Sequence, residues 1–440
     1  MSKIIFLLAF FSVFQGMVLP GTEQFGVSPF LLVQMLLFSY VICYWGKYDF
    51  IIPEKWSSFS FWFSAFSLIS IVSAFILPMV FSGMRVYTPK GGVDEQYMSP
   101  GILVPSASNL AQAVYLLLYW VSILFFVMRK DRKLLDATSK AYLMSGIVVC
   151  FFSYYQLVSI LFGIYYPTEY LLNNATFGIA GDTNFSFLPR INSTFTEPSF
   201  YAMFMASFVV WIYIQFINSE KGNISRNWLI LLIASLFSLL ISASSTGFVA
   251  LTLFFIMHTF FAIFHRTGGE KGRKIVLTVS LFFSVIAFLY FLVPGVDVIL
   301  NTVIFDKGSS DSSLHRLASD RYALTVLSET NFLGAGLGSN RPSSFVAFLL
   351  SNVGVLGTFC ILIAAGLLLL HSLRASKREG GEKRDLIACE ASGWALLAML
   401  IAKILGGPDL SFPPMWILVG YFILSIRQIE IKNKLSAIKK

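Results

Sequence analysis

Six residues lying between long apolar runs carry side chains suited to group-transfer chemistry. Four are arginines: Arg190, Arg316, Arg321 and Arg341. A guanidinium stays charged and presents a planar fork that binds phosphate or carboxylate through paired hydrogen bonds. Arg190 opens the string Arg190-Ile-Asn-Ser-Thr-Phe-Thr-Glu-Pro-Ser-Phe200, in which Glu197 precedes Pro198. Proline is well tolerated at the first position of a helix, so Glu197 reads as the residue at a helix mouth. A carboxylate there either caps the first amides or acts as a general base towards a bound hydroxyl. His315 stands beside Arg316; a neutral imidazole suits the same role, and the plain alternative is a surface histidine. The plain alternative for the arginines is pairing with nearby acids, Asp320 for Arg316 and Glu197 for Arg190.

The elements that position these residues follow from composition. Hydrophobic residues make up 56% of the 440 and charged residues 12%, about half the ~25% of a soluble domain. Mean hydropathy is +0.75. Apolar runs of about 20 residues recur, each long enough to cross ~30 Å of hydrocarbon. The expected fold class is therefore all-α, a polytopic helical membrane protein. A soluble enzyme, a secreted disulfide scaffold, a disordered chain and an outer-membrane barrel are excluded. Twelve spans are expected, over 3–19, 28–45, 57–80, 109–128, 141–165, 198–217, 228–243, 247–264, 275–293, 344–370, 386–404 and 414–426. The first reads as a helix rather than a cleaved leader, because no small-x-small site follows it.

Charge sets the expected orientation. With the N-terminus inside, 24 of the 32 Lys and Arg fall in inside segments and seven outside; Lys403 lies within a span. The positive-inside rule then places both termini in the cytoplasm. The net charge of +9 is thus a topology signal, and no nucleic-acid partner is expected. The outside loops are 81–108, 166–197 and 294–343, the last the largest, within a single membrane domain over 1–440. Residues 313–327 of that loop read as a helix with Leu314, Leu317 and Leu324 on one face and Arg321 among them. Gly334-Ala-Gly-Leu-Gly338 reads as a tight backbone turn, or less readily as an anion cradle. Glu390 and Lys403 are the ionisable residues within spans; Lys403 is close enough to the outer end to reach Asp409 or an anionic headgroup. Cys43, Cys150, Cys360 and Cys389 read as small core residues. No His, Cys, Asp or Glu cluster has metal-ligand spacing, so neither metal nor cofactor is expected.

The Arg190–Ala202 string, the span count and the large late outside loop together resemble the O-antigen polymerase (Wzy) and O-antigen ligase superfamily. Gly334-Ala-Gly-Leu-Gly-Ser-Asn-Arg-Pro-Ser-Ser344 followed by Leu350-Ser-Asn-Val-Gly-Val-Leu-Gly357 is similar to the end of that family's large periplasmic loop and its next helix. The resemblance implies a GT-C-like, metal-independent, inverting glycosyltransferase of the bacterial inner membrane with its active face in the periplasm. Its substrates would be undecaprenyl-diphosphate-linked glycans, as donor and acceptor, with a chain-length regulator as a candidate protein partner. By position, Arg190 matches the arginine of the family's first functional loop, Arg316 and Arg321 match arginines of the large loop, and His315 its functional histidine. The interval of eleven residues from such an arginine or histidine to a glycine, seen in some polymerases, is absent here. The alternatives are an O-antigen ligase and, from another class, a lipid-linked oligosaccharide flippase or transporter.

Overall fold

The computed structural model describes residues 1–22, 26–44, 51–87, 100–174, 190–220, 222–265, 267–292, 311–376 and 382–439. Expectations for Lys90, Lys307 and the rest of 88–99, 175–189 and 293–310 lie outside the described residues, as does the side chain of His315. In chain order the elements are α1 (Ser2–Phe11), α2 (Pro29–Cys43), α3 (Ser57–Val80), β1 (Arg85–Tyr87), β2 (Pro100–Ile102), α4 (Ala107–Met128), α5 (Arg132–Phe162) and the one-turn α6 (Thr168–Leu171). There follow α7 (Pro198–Asn218), α8 (Asn223–Leu240), α9 (Ser245–Phe264), α10 (Gly269–Leu292), α11 (Asp311–Glu329), α12 (Phe345–Ser376), α13 (Lys383–Gly406) and α14 (Pro413–Lys439).

Among the described residues nine helices are long and apolar enough to cross a membrane: α3, α4, α5, α7, α8, α9, α12, α13 and α14. The chain is a polytopic helical membrane protein. Three of the twelve expected spans are not among those nine. The run 3–19 is helical only to Phe11, about 15 Å at 1.5 Å per residue. Beyond it the backbone bonds to neighbouring loops instead. The Gly16 N–H donates to the Thr194 carbonyl at 3.0 Å, and the Thr194 hydroxyl to the Val13 carbonyl at 2.6 Å. α2 has 15 residues, and the run 275–293 falls on α10, whose last side chains are outside the described residues.

α7 is the central helix. Of its most apolar stretch 94% is buried inside the protein, against 22% for α8. Small residues allow its neighbours to approach. Buried Ala388, Ala391, Ala395, Ala398 and Ala402 recur at three- and four-residue steps along α13, which packs chiefly on α7. On α9, a Cβ at Gly247 would stand 2.9 Å from the Ala202 methyl of α7.

Polar groups gather at the two ends of the bundle. At one end the carboxylate of Asp385, 1% exposed, lies 3.3 Å from Arg132 and 3.0 Å from Lys432, joining the starts of α5 and α13 to α14. At the other end β1 pairs antiparallel with β2, Arg85 opposite Ile102. This ribbon, which the all-α expectation did not include, packs through Val86 and Leu103 on Val326 of α11 and Ala335. α11 confirms a helix in the large loop, but not the expected face. Leu314, Leu317 and Leu324 are 50–55% exposed, while Ser319, Ala323, Val326 and Leu327 are buried. The buried set is smaller in side-chain volume and lets α11 lie close against α12 and β1. α14 also departs from expectation. It continues past residue 426 because Arg427, Gln428 and Glu430 find partners: Glu430 accepts from Trp56 at 2.9 Å, and Gln428 donates to the Lys130 carbonyl at 3.0 Å. Cys150, Cys360 and Cys389 are buried as expected, whereas Cys43 is exposed.

Candidate functional site

The string from Arg190 enters the protein rather than lying across its surface. Residues 191–196 are buried, and most of their polar groups bond to α5, to the segment that follows α1, or to one another. Gln156 accepts the N–H groups of Asn192 and Ser193 at 3.2 and 2.7 Å and donates to Asn192 Oδ1 at 2.7 Å. Ser193, with a positive φ of 53°, donates its hydroxyl to the Val149 carbonyl at 2.9 Å. The Asn-Ser-Thr portion is therefore structural, and the half-buried Arg190 and Glu197 flank it. Asn192 is 4% exposed.

Glu197 occupies the N-cap position of α7. Pro198 is the first helical residue, and the Glu197 carbonyl accepts the Tyr201 N–H at 3.1 Å. Its carboxylate makes no capping bond to the helix amides. Instead Oε2 accepts the Ser199 hydroxyl at 3.0 Å. The cap is made by the backbone alone, and the acid side chain is turned to other partners at the head of the central helix.

Three cations meet this end of the bundle. The Arg316 guanidinium lies over Gly406, the last residue of α13: a Cβ there would be 2.8 Å from Nη1 and 3.4 Å from the Thr246 hydroxyl on the first turn of α9. One turn back, Lys403 is fully buried. It donates to the Asp409 carbonyl at 2.6 Å and lies 4.9 and 5.4 Å from the ring centres of Phe345 and Phe412, where cation–π attraction adds to the hydrogen bond. Arg341 approaches the Asp409 carboxylate at 3.9 Å. That is an ion pair too long to be a hydrogen bond, and Nε has no hydrogen-bond partner among the described residues. Phe412 packs on Phe195 and Phe200, and Met203 abuts Gly407. The turn 407–412 thereby joins the cations to the first turn of α7 and Glu197.

Asp320 orders the same region from α11. Its carboxylate accepts the Ser343 and Ser344 N–H groups, each at 2.8 Å, immediately before α12. Burial raises its pKa above the ordinary aspartate range, although these amides and nearby Arg316 pull the other way.

The glycine run is a turn. Gly334, Gly336 and Gly338 all have positive φ. The Ala335 and Gly336 N–H groups donate to the Ser351 and Asn352 carbonyls, and Ser339 and Asn340 both donate to Asn352 Oδ1 at 3.0 Å. Amides bonded within the protein are not an anion cradle. The carbonyls they reach lie just before Gly354, where α12 is broken at φ 69°, ψ −174°. The loop satisfies this break, since the Val355 N–H donates to the Phe332 carbonyl at 3.0 Å.

Of the residues singled out from sequence, the structure brings Glu197, Arg316 and Arg341 to one end of the bundle. Arg190 opens the buried string leading to Glu197. Arg321 is exposed on α11; five residues from Arg316, it points about 140° away around the helix. Lys403 reaches Asp409, as its position near the outer end suggested, through the backbone carbonyl. Glu390 is held at 2.9 Å by Lys271 and accepts from Asn218 at 3.1 Å, which makes it structural. Thr246 and the Gly406–Gly407 step escaped sequence reasoning; the available signal was two glycines and a proline directly after a span carrying a lysine. No known family model and no curated protein matches the chain.

Proposed function

We propose that this protein is a glycan polymerase of the bacterial inner membrane. It transfers a growing glycan from undecaprenyl diphosphate to the terminal sugar of a new lipid-linked repeat unit, on the periplasmic side. The observation that carries this reading is the gathering of Arg316, Arg341 and Lys403 at the end of the bundle where Glu197 opens the central helix. A lipid-linked donor needs a diphosphate clamp and a base for the acceptor hydroxyl, and the clustered cations beside the Glu197 helix mouth support that reading.

In the proposed reaction Arg316 and Arg341, with Arg190, bind the donor diphosphate. Glu197 takes the proton of the acceptor hydroxyl. The acceptor oxygen bonds to the anomeric carbon with inversion as the glycosyl C–O bond to phosphate breaks. The electron pair leaves on undecaprenyl diphosphate, and the arginines stabilise the negative charge growing there. Lys403 holds the 407–412 turn and so positions Asp409 and Arg341. His315, one residue from Arg316, is the other candidate base.

The test is a surface-polysaccharide gel from a deletion strain. A polymerase leaves one repeat unit on the lipid core, and the ladder returns with the wild-type gene. Polymer confined to the carrier lipid would indicate a ligase instead. Unpolymerised precursor held inside the cell would indicate a flippase.

A further inference from the structure

The opposite end of the bundle holds a second polar site that the catalytic reading does not use. A cavity of about 760 Å³ lies between the start of α3 and the ends of α4, α12 and α14. Five cationic side chains line it, Lys55, Lys130, Arg374, Arg427 and Lys434, against two carboxylates, Glu54 and Glu430. Glu430 is already engaged: it accepts from Trp56 at 2.9 Å, and Arg427 Nη1 lies 3.3 Å from it. Arg427 is 5% exposed, and its Nε and Nη2 have no hydrogen-bond partner among the described residues. A buried guanidinium with two unused donor nitrogens is costly unless an acceptor completes it. The other four cations are exposed at the rim.

We propose that this cavity binds a phosphate-bearing anion, with Arg427 at its floor and the lysines at its rim. The excess of positive charge calls for an acceptor of more than one oxygen, and a planar guanidinium fork matches phosphate. The volume is that of a small-molecule site and far larger than a lone water needs. The cavity lies where the helices end, at the depth of lipid headgroups, so the phosphate belongs either to an anionic lipid of the adjoining leaflet or to a soluble phosphate compound. Bound there, it would tie α3, α4, α12 and α14 together.

The experiment uses the full chain purified in detergent and measures thermal unfolding during titration. The probes are short-chain phosphatidylglycerol, short-chain phosphatidylcholine and inorganic phosphate. Phosphatidylglycerol is expected to raise the unfolding temperature, phosphatidylcholine is not, and the Lys55→Gln/Lys130→Gln/Lys434→Gln variant should weaken the response. The loss should be about fivefold in apparent affinity per lysine, roughly a hundredfold for the three. A control variant, Lys3→Gln/Lys133→Gln/Lys140→Gln, removes three exposed charges elsewhere and should respond as wild type. Stabilisation by inorganic phosphate as well would assign the site to soluble phosphate; stabilisation by phosphatidylglycerol alone assigns it to lipid. The proposal is overturned if neither probe stabilises the protein, if phosphatidylcholine acts equally, or if the rim variant responds like wild type. Since the rim lysines are exposed, the variant is expected to fold even where Arg427→Gln does not.

Discussion

Substituting Gly406 by alanine separates the position of Arg316 from the stability of the fold. Gly406 is the last residue of α13, and its backbone does not require glycine. A Cβ there would stand 2.8 Å from Arg316 Nη1, so the guanidinium must retreat by about 0.6 Å to reach ordinary contact near 3.4 Å. The obstructing atom is the tip of a flexible side chain, so the adjustment is cheap. Alanine also favours the helix by up to ~1 kcal/mol over glycine. Stability should be unchanged or slightly higher. Activity should not be: a misplacement of 1 Å in a positioned group costs on the order of a hundredfold, so 0.6 Å predicts roughly tenfold. The assay is the rate of polymer formation by membranes with matched protein levels, alongside the unfolding temperature. Gly366→Ala is the control, because a Cβ at Gly366 meets nothing within 4 Å. Full activity in the Gly406→Ala protein would refute the claim that Arg316 works from its place over α13.

Further outcomes follow from the same geometry. Gly354→Ala forces a side chain onto a backbone at φ 69°, ψ −174° and puts its Cβ 2.4 Å from the Leu333 carbonyl oxygen. It should destabilise by about 3 kcal/mol or more, read as lost expression or a lowered unfolding temperature. Asp320→Ala leaves the Ser343 and Ser344 amides without their acceptor and should cost about 1–3 kcal/mol, whereas Asp320→Asn keeps an acceptor oxygen. The Asp320 pKa is raised, so the folded protein retains this proton at pH values where the unfolded chain has lost it. Its contribution to stability therefore declines as pH rises from the usual aspartate value through the raised one. Unfolding measured across that range should show the slope in wild type and not in Asp320→Asn. Lys403→Met loses a charge-assisted hydrogen bond and should lower stability by roughly 2 kcal/mol, detected by thermal unfolding.

The apolar spans were legible because their signal is strong and local. The run 57–80 coincides with α3, 198–217 with α7 to within one residue, and 247–264 with α9 to within two. The failures have physical causes. Hydropathy ends the last span at Arg427, yet Trp56, His371 and Lys130 are spatial partners, distant in sequence, that carry α14 further. The run 3–19 is apolar enough for a span, but loops at 171–174 and 194 compete for its backbone. On α11, Leu314, Leu317 and Leu324 are exposed, because the side that meets its neighbours is formed by Ser319, Ala323, Val326 and Leu327. In the candidate site Glu197 was legible from the following proline, and the arginines from their placement between spans. Which arginines meet could not be read, since Arg316 lies beside Gly406, 90 residues away in the sequence.

The central claim, glycan transfer with Glu197 as base, is tested most directly with purified protein in nanodiscs supplied only with lipid-linked repeat units. The account predicts that wild type forms polymer and releases undecaprenyl diphosphate. Glu197→Gln should retain the fold and bind the substrate yet form polymer at least about a hundredfold more slowly. Undiminished polymerisation by Glu197→Gln would contradict the assignment of the base, and no polymer from wild type would contradict the account of the reaction itself.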